Sequence, residues 1–124
     1  MTMKKILLAD DEMALRYLIT ETLAEEGYEI TEAEDGGEAQ KLLELEQYDL
    51  VILDYMMPEK TGVEVCEWLR AGCGPNRDLP VIILTAKALE KDKEKAKAAG
   101  VTRYIVKPFS PLQLIEVVKQ LLAA

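Results

Sequence analysis

Residues 50–54 are Leu50-Val51-Ile52-Leu53-Asp54, an unbroken apolar run closed by one carboxylate. A run this short, with no polar position alternating through it, suits a strand covered on both faces, as in a parallel sheet. The same pattern appears near the start of the chain, where Ile6-Leu7-Leu8-Ala9 is closed by Asp10-Asp11. Strands of a parallel sheet deliver their carboxyl ends to one edge, and open α/β folds bind ligands there. The two runs therefore predict Asp10, Asp11 and Asp54 gathered at one end of a core that otherwise excludes charge. Unpaired like charges are costly in such a place, about 4 kcal/mol for two at ~4 Å with an effective dielectric near ~20. A hard divalent cation relieves that cost, and Mg²⁺ takes a few carboxylates together with phosphate oxygens and water. An Mg²⁺-dependent phosphate site is the first functional expectation.

Outward from these runs, short apolar segments alternate with longer amphipathic ones, the pattern of βα repeats. Strands are expected over 5–9, 29–33, 50–54, 81–85 and 103–107. The second, Glu29-Ile30-Thr31-Glu32-Ala33, alternates polar and apolar and should lie near an edge; the others should be central or better covered. Helices are expected over 13–26, 37–46, 62–71, 88–99 and 110–122. The first places Leu15, Leu18, Ile19 and Leu23 on one stripe and ends at Gly27, a good residue just past a helix terminus. The second offers Ala39, Leu42 and Leu43, and the third Val65, Cys66 and Leu69. The fifth opens with Ser110-Pro111, an N-cap followed by proline, and buries Leu114, Ile115, Val118, Leu121 and Leu122. The fourth differs: beyond Leu89 and alanines it is the charge run Glu90-Lys91-Asp92-Lys93-Glu94-Lys95. A helix with so thin an apolar stripe is either a solvated helix held by ion pairs or the element readiest to shift. Crossovers this short are right-handed and place helices on both faces of a single doubly wound sheet.

The bulk numbers fit one soluble domain over residues 1–124, with 49% hydrophobic and 31% charged residues. A net charge of −8 with dispersed lysines argues against nucleic acid as a direct partner. Cys66 and Cys73 make no metal set or disulfide framework and are expected to be reduced thiols. The apolar stretch after Lys4-Lys5 ends at Asp10, too short for a secretory leader, and no stretch approaches a membrane span. A cytoplasmic protein is expected.

Four strand ends carry chemistry suited to a phosphoryl group. Asp54 can attack phosphorus and form an acyl phosphate. Asp10 and Asp11 can hold the metal. Lys107 can set an ammonium against a phosphoryl oxygen, and Thr85 can donate its hydroxyl to another. Phosphoryl transfer asks little beyond positioning and charge stabilisation. Each residue also has an ordinary explanation: Asp54 as a turn residue, Asp10-Asp11 as a helix cap, Thr85 as a β-former and Lys107 as a surface cation.

Taken together, Leu8-Ala9-Asp10-Asp11-Glu12, Leu53-Asp54-Tyr55-Met56-Met57-Pro58, Leu84-Thr85-Ala86 and Val106-Lys107-Pro108-Phe109 resemble the receiver domain of two-component response regulators, over essentially the whole chain. The resemblance implies a flavodoxin-like sheet of strand order 2-1-3-4-5 with five helices. It implies that Asp54 accepts a phosphoryl group from the phosphohistidine of a sensor histidine kinase or phosphotransfer protein. Asp11 and Asp54 would bind Mg²⁺ directly, Asp10 largely through water, and the backbone carbonyl of Met56 would be a further ligand. Thr85 and Lys107 would contact the phosphoryl group, so the protein would be a phosphoacceptor assisting its own phosphorylation and dephosphorylation. Tyr104 matches the aromatic switch position that turns inward as the threonine moves. Pro108 matches a position where the preceding bond is often cis, and Gly62 the turn glycine before the third helix. The face made by the fourth helix, fifth strand and fifth helix would then change and control a downstream effector or an attached output domain. Kinase choice would rest on the first helix, with Met13, Ala14, Arg16, Tyr17 and Thr20 as candidates, while Met56 and Lys87 would affect water access to the reaction centre.

A phosphohydrolase of the haloacid dehalogenase type is the principal alternative, but those enzymes usually place a second Asp two residues after the nucleophile. Met56 stands there, and methionine cannot carry a proton. A flavin- or nucleotide-binding module would want a Gly-rich phosphate loop after the first strand, where this chain has Asp10-Asp11-Glu12. A degenerate scaffold would lack one of the site residues, and none is missing. No basic helix-turn-helix follows the fifth helix, which leaves open a stand-alone receiver or the first domain of a longer regulator. Thr102-Arg103 occupy positions where receivers joined to winged-helix domains commonly carry an acidic pair used in dimers, so a monomer is expected before phosphorylation.

Overall fold

The computed structural model describes residues 3–72, 74–86 and 90–123. Its elements are β1 (Lys5–Ala9), α1 (Met13–Glu25), β2 (Glu29–Ala33), α2 (Gly36–Leu45), β3 (Leu50–Asp54), α3 (Gly62–Ala71), β4 (Val81–Thr85), α4 (Glu90–Ala98), β5 (Arg103–Val106) and α5 (Pro111–Leu122). The strands form one parallel sheet in the order β2-β1-β3-β4-β5. Expected and observed boundaries agree to within about two residues. Cys73, Lys87, Leu89 and the expected start of the fourth helix at residue 88 lie outside the described residues.

Strand geometry sorts the core. Successive side chains point to opposite faces, so Leu7, Ala9, Val51, Leu53, Val81 and Ile83 pack toward α2 and α3. Ile6, Leu8, Leu50, Ile52, Ile82, Leu84 and Ile105 pack instead against Ile19 and Leu23 of α1 and Leu114 and Val118 of α5. From Ile6 onward in β1, and throughout β3 and β4, neither face meets water, which is why these runs show no alternation. Two expectations need correction. β5 was expected to be covered, yet it is the second edge of the sheet, and of its residues only Ile105 is buried. Leu18 was expected on the buried stripe of α1, yet it is 50% exposed, while Arg16 is buried in that stripe.

Local chemistry starts the helices where the carboxyl edge needs them. Asp35 caps α2 by accepting from the Glu38 N–H, and Ser110 caps α5 by accepting from the Gln113 N–H ahead of Pro111. Thr61 and Glu64 form a reciprocal capping box at α3. No described helix is long and apolar enough to cross a membrane.

Candidate functional site

Asp54 is the last residue of β3 and is buried. Its place is set by the backbone on either side: the Tyr55 N–H donates to the Leu84 carbonyl at 2.7 Å, and the Gly62 N–H donates to the Tyr55 carbonyl at 3.0 Å. A Cβ on Gly62 would lie 2.5 Å from the Asp54 carbonyl oxygen, so only glycine lets the start of α3 come this close. The sequence argument had marked Gly62 as a turn residue; close approach is what the position demands.

Asp10 is held more completely. Its N–H donates to the Ala33 carbonyl at 3.1 Å, and its own carbonyl accepts from Arg16 Nη1 at 2.8 Å. Its Oδ1 accepts from the Glu12 N–H at 2.8 Å. The buried Oδ2 accepts no hydrogen bond from the described residues and faces Lys107 Nζ at 3.9 Å. Burial pushes the Asp10 carboxyl up from its ordinary 3.8 to about 6, against the Glu12 N–H, with the Asp54 charge adding to the rise. Burial also raises the Asp54 carboxyl, while its hydrogen bond from Lys107 pulls it back down. The Lys107 ammonium donates to Asp54 Oδ1 at 3.0 Å.

Asp11 sits exposed on the rim, and one carboxylate oxygen from each of Asp10, Asp11 and Asp54 lies within 4.8 Å of the others. The donors are all oxygen, the sequence contains no histidine, and one buried oxygen is unsatisfied; this set fits a hard cation such as Mg²⁺. Acidic residues at other strand ends do not join it. Asp35 is occupied as the cap of α2, and the side chain of Met56 is exposed two residues beyond Asp54.

Thr85 ends β4, is buried, and pairs in register with Val106. Its carbonyl accepts from the Lys107 N–H at 2.6 Å, which carries the β4–β5 pairing one step past the strand and delivers Lys107 to the site. The Lys107–Pro108 bond is cis, as the resemblance implied. Tyr104 pairs with Ile83, two positions before Thr85, so Thr85 and Tyr104 share one face of the sheet. The Tyr104 ring is half-buried and packs against Val63, Ala96 and Ala99 together with Tyr55 and Val101.

Arg16, a candidate for kinase choice, has its guanidinium buried against Asp10 and Glu32 rather than offered to a partner. An arginine at position 16, in line with Ile19 and Leu23 at helical spacing, was the available signal. Of the other candidates for kinase choice, Met13, Ala14 and Tyr17 are exposed and Thr20 is half-buried.

The fold is a doubly wound sheet with three acids, a lysine and a threonine at its carboxyl edge, and comparison with known proteins specifies its class. The family model "Response regulator receiver domain" matches residues 6–119. The chain belongs to this family of two-component signalling domains. It is 46% identical over 119 residues to the transcriptional regulatory protein ResD of Bacillus subtilis, a match covering 95% of this chain and 48% of ResD. It is 40% identical to the transcriptional regulatory protein PdtaR of Mycobacterium tuberculosis, covering 94% of this chain and 55% of that protein. The chain thus spans about half the length of the curated relatives it matches. Among solved structures, the chemotaxis protein CheY4 of Vibrio cholerae superposes with a TM-score of 0.91 at 32% identity, covering 97% of this chain and 99% of that one. The receiver domain of the sensor histidine kinase PA1611 from Pseudomonas aeruginosa superposes with a TM-score of 0.90 at 30% identity, covering 99% and 100%; that domain holds a magnesium ion in its active-site cleft.

Proposed function

We propose that this chain is a phosphorylation-driven switch in which Asp54 accepts a phosphoryl group from the phosphohistidine of a sensor kinase or phosphotransfer protein. The observation that carries this is the setting of Asp54: a buried carboxylate at the end of a central strand, bonded to Lys107 at 3.0 Å and clustered with Asp10 and Asp11. Asp10, Asp11, Asp54 and the main-chain carbonyl of Met56 would hold Mg²⁺. When bound, the ion would supply positive charge against the phosphoryl oxygens.

The chain's own residues do the rest. An Asp54 carboxylate oxygen forms the new P–O bond as the bond from phosphorus to the donor's imidazole nitrogen breaks and the imidazole leaves with the electron pair. Lys107 exchanges its bond to Asp54 Oδ1 for one to a phosphoryl oxygen, and the Thr85 hydroxyl donates to another. The added charge of about −1.5 to −2 draws Thr85 inward. Tyr104, on the same face and packed against Ala96 and Ala99, follows and alters the surface of α4, β5 and α5 that meets an effector or output domain. Exposed Met13, Ala14 and Tyr17 beside the site are the contacts offered to the phosphodonor protein.

The hydrolase alternative lacks its acid. Met56 carries no proton to a leaving group, so the acyl phosphate persists long enough to signal. We place the domain's action in the cytoplasm, as a monomer until phosphorylated.

The test is intact mass after incubation with acetyl phosphate, with and without Mg²⁺, beside Asp54→Asn. One base-labile phosphoryl adduct that requires both Mg²⁺ and Asp54 is expected. Rapid catalytic loss of acetyl phosphate without a lasting adduct would sink the switch and revive the hydrolase.

A further inference from the structure

Arg16 is the most completely engaged side chain near the site that the proposed chemistry does not use. From the first turns of α1 its Nη1 reaches the Asp10 carbonyl at 2.8 Å, its Nε donates to Glu32 Oε1 at 3.0 Å, and its Nη2 lies 3.9 Å from Glu34 Oε1. Glu32 and Glu34 are exposed carboxylates on and just after β2, so the guanidinium charge is balanced on the side away from the acidic cluster. The Asp10 carbonyl belongs to the peptide joining Asp10 to Asp11, so fixing that peptide fixes the base of both acids. With the N–H donating to Ala33, the carbonyl accepting from Arg16 and Oδ1 from Glu12, Oδ2 is the one polar atom of Asp10 without a hydrogen bond among the described residues.

We infer that Arg16 is a positioning residue for the cation site: its planar fork spans the Asp10 carbonyl and Glu32, and so holds Asp10 Oδ2 and the Asp11 carboxylate at the separation a divalent ion needs. This rests on the proposed Mg²⁺-dependent function. The geometry opposes what charge alone would do. A cation beside a cation site weakens binding, so removing Arg16 should tighten Mg²⁺ if it acted only as a charge. Removal weakens Mg²⁺ if Arg16 acts by holding the ligands, because loss of groups that orient metal ligands typically costs affinity about tenfold or more. Lysine keeps the charge but is a single ammonium with no rigid fork, so it cannot replace both contacts.

The experiment is calorimetric titration with Mg²⁺, without phosphodonor, on the parent chain and on Arg16→Met, Arg16→Lys and Glu32→Gln, with circular dichroism to establish folding. Both Arg16 variants should bind Mg²⁺ about tenfold more weakly. Glu32→Gln, which removes the charge but keeps an amide oxygen to accept from Arg16 Nε and leaves the Asp10 contact, should stay near the parent value. Arg16→Lys carries the test by itself if Arg16→Met does not fold. Unchanged or tighter binding in the Arg16 variants, recovery of affinity by lysine, or an equal loss in Glu32→Gln overturns the inference while leaving the proposed switch intact. Failure of the parent chain to bind Mg²⁺ overturns both.

Discussion

The two helices that flank β5 are built in opposite ways. α5 buries Leu114 and Val118 against the sheet, with Ile115, Val117, Leu121 and Leu122 half-buried around them. On α4, Ala96 is the buried hydrophobic residue, followed by Ala99 just past its end; Lys93, Glu94, Lys95, Lys97 and Ala98 are exposed. What α4 lacks in apolar area it recovers at one end through polar contacts. The Cys66 thiol donates to the Ala99 carbonyl at 3.3 Å, and Arg70 donates to the Gly100 carbonyl at 2.9 and 3.1 Å as well as to the carbonyls of Arg77 and Leu79. A helix fixed by large side chains along its length moves only when the core moves. Among the described residues, the polar contacts at the carboxyl end of α4 are what tie it to α3.

The carboxyl edge extends the contrast, because there the fold accepts a direct cost. Asp10 is a fully buried carboxylate, whereas the described residues that α5 itself buries are Leu114 and Val118. The same molecule therefore holds a region built for stability beside one that gives stability up for chemistry.

The contrast is sharpest where large side chains are removed. Leu114→Ala should lower unfolding free energy by about 2–5 kcal/mol, measured by urea denaturation. A loss below about 1 kcal/mol would show that α5 is no better anchored than α4. The opposite sign is expected at the carboxyl edge. Asp10 titrates near 6 in the folded chain and at 3.8 when unfolded, so ionising it costs the native state above pH 6, and the cost disappears as pH falls toward 4. Asp10→Asn should therefore stabilise the metal-free protein by up to about 3 kcal/mol at pH 7.5, with the difference vanishing near pH 4. A variant less stable than its parent at pH 7.5 would mean that the enclosed carboxylate is not a cost. Arg70→Met should speed hydrogen exchange across the end of α4 by about tenfold, since bonds from a charged donor contribute about 1.5 kcal/mol, while α5 is spared. The smallest effect is expected from Ala96→Gly, a loss of about 1 kcal/mol, because little more than helix propensity is at stake there.

Much of this was legible in the chain. The unbroken runs at 6–9 and 50–53 announced strands covered on both faces, and their closing acids announced the site. Ser110-Pro111 and Gly27 marked helix boundaries because caps are local chemistry. The misjudged positions share one cause. Leu18 and Arg16 lie on neighbouring strips of the same helix, and which strip faces inward depends on how α1 sits on β1 and β2. β5 has a core-like composition, yet it is the last strand of the sheet, with Ile105 packed against Leu114 and Val118 on one face and Tyr104 against Ala96 and Ala99 on the other.

The sequence by itself determined the βα alternation and the strand ends that carry the candidate site residues, because periodicity and capping act over a few residues. The tertiary structure decided that Arg16 turns inward to hold the Asp10 peptide, that Gly62 must be glycine to clear the Asp54 carbonyl, and that α4 is secured at its carboxyl end. Each of those depends on groups far apart in sequence meeting within hydrogen-bonding or van der Waals distance, and only the packed sheet sets those distances.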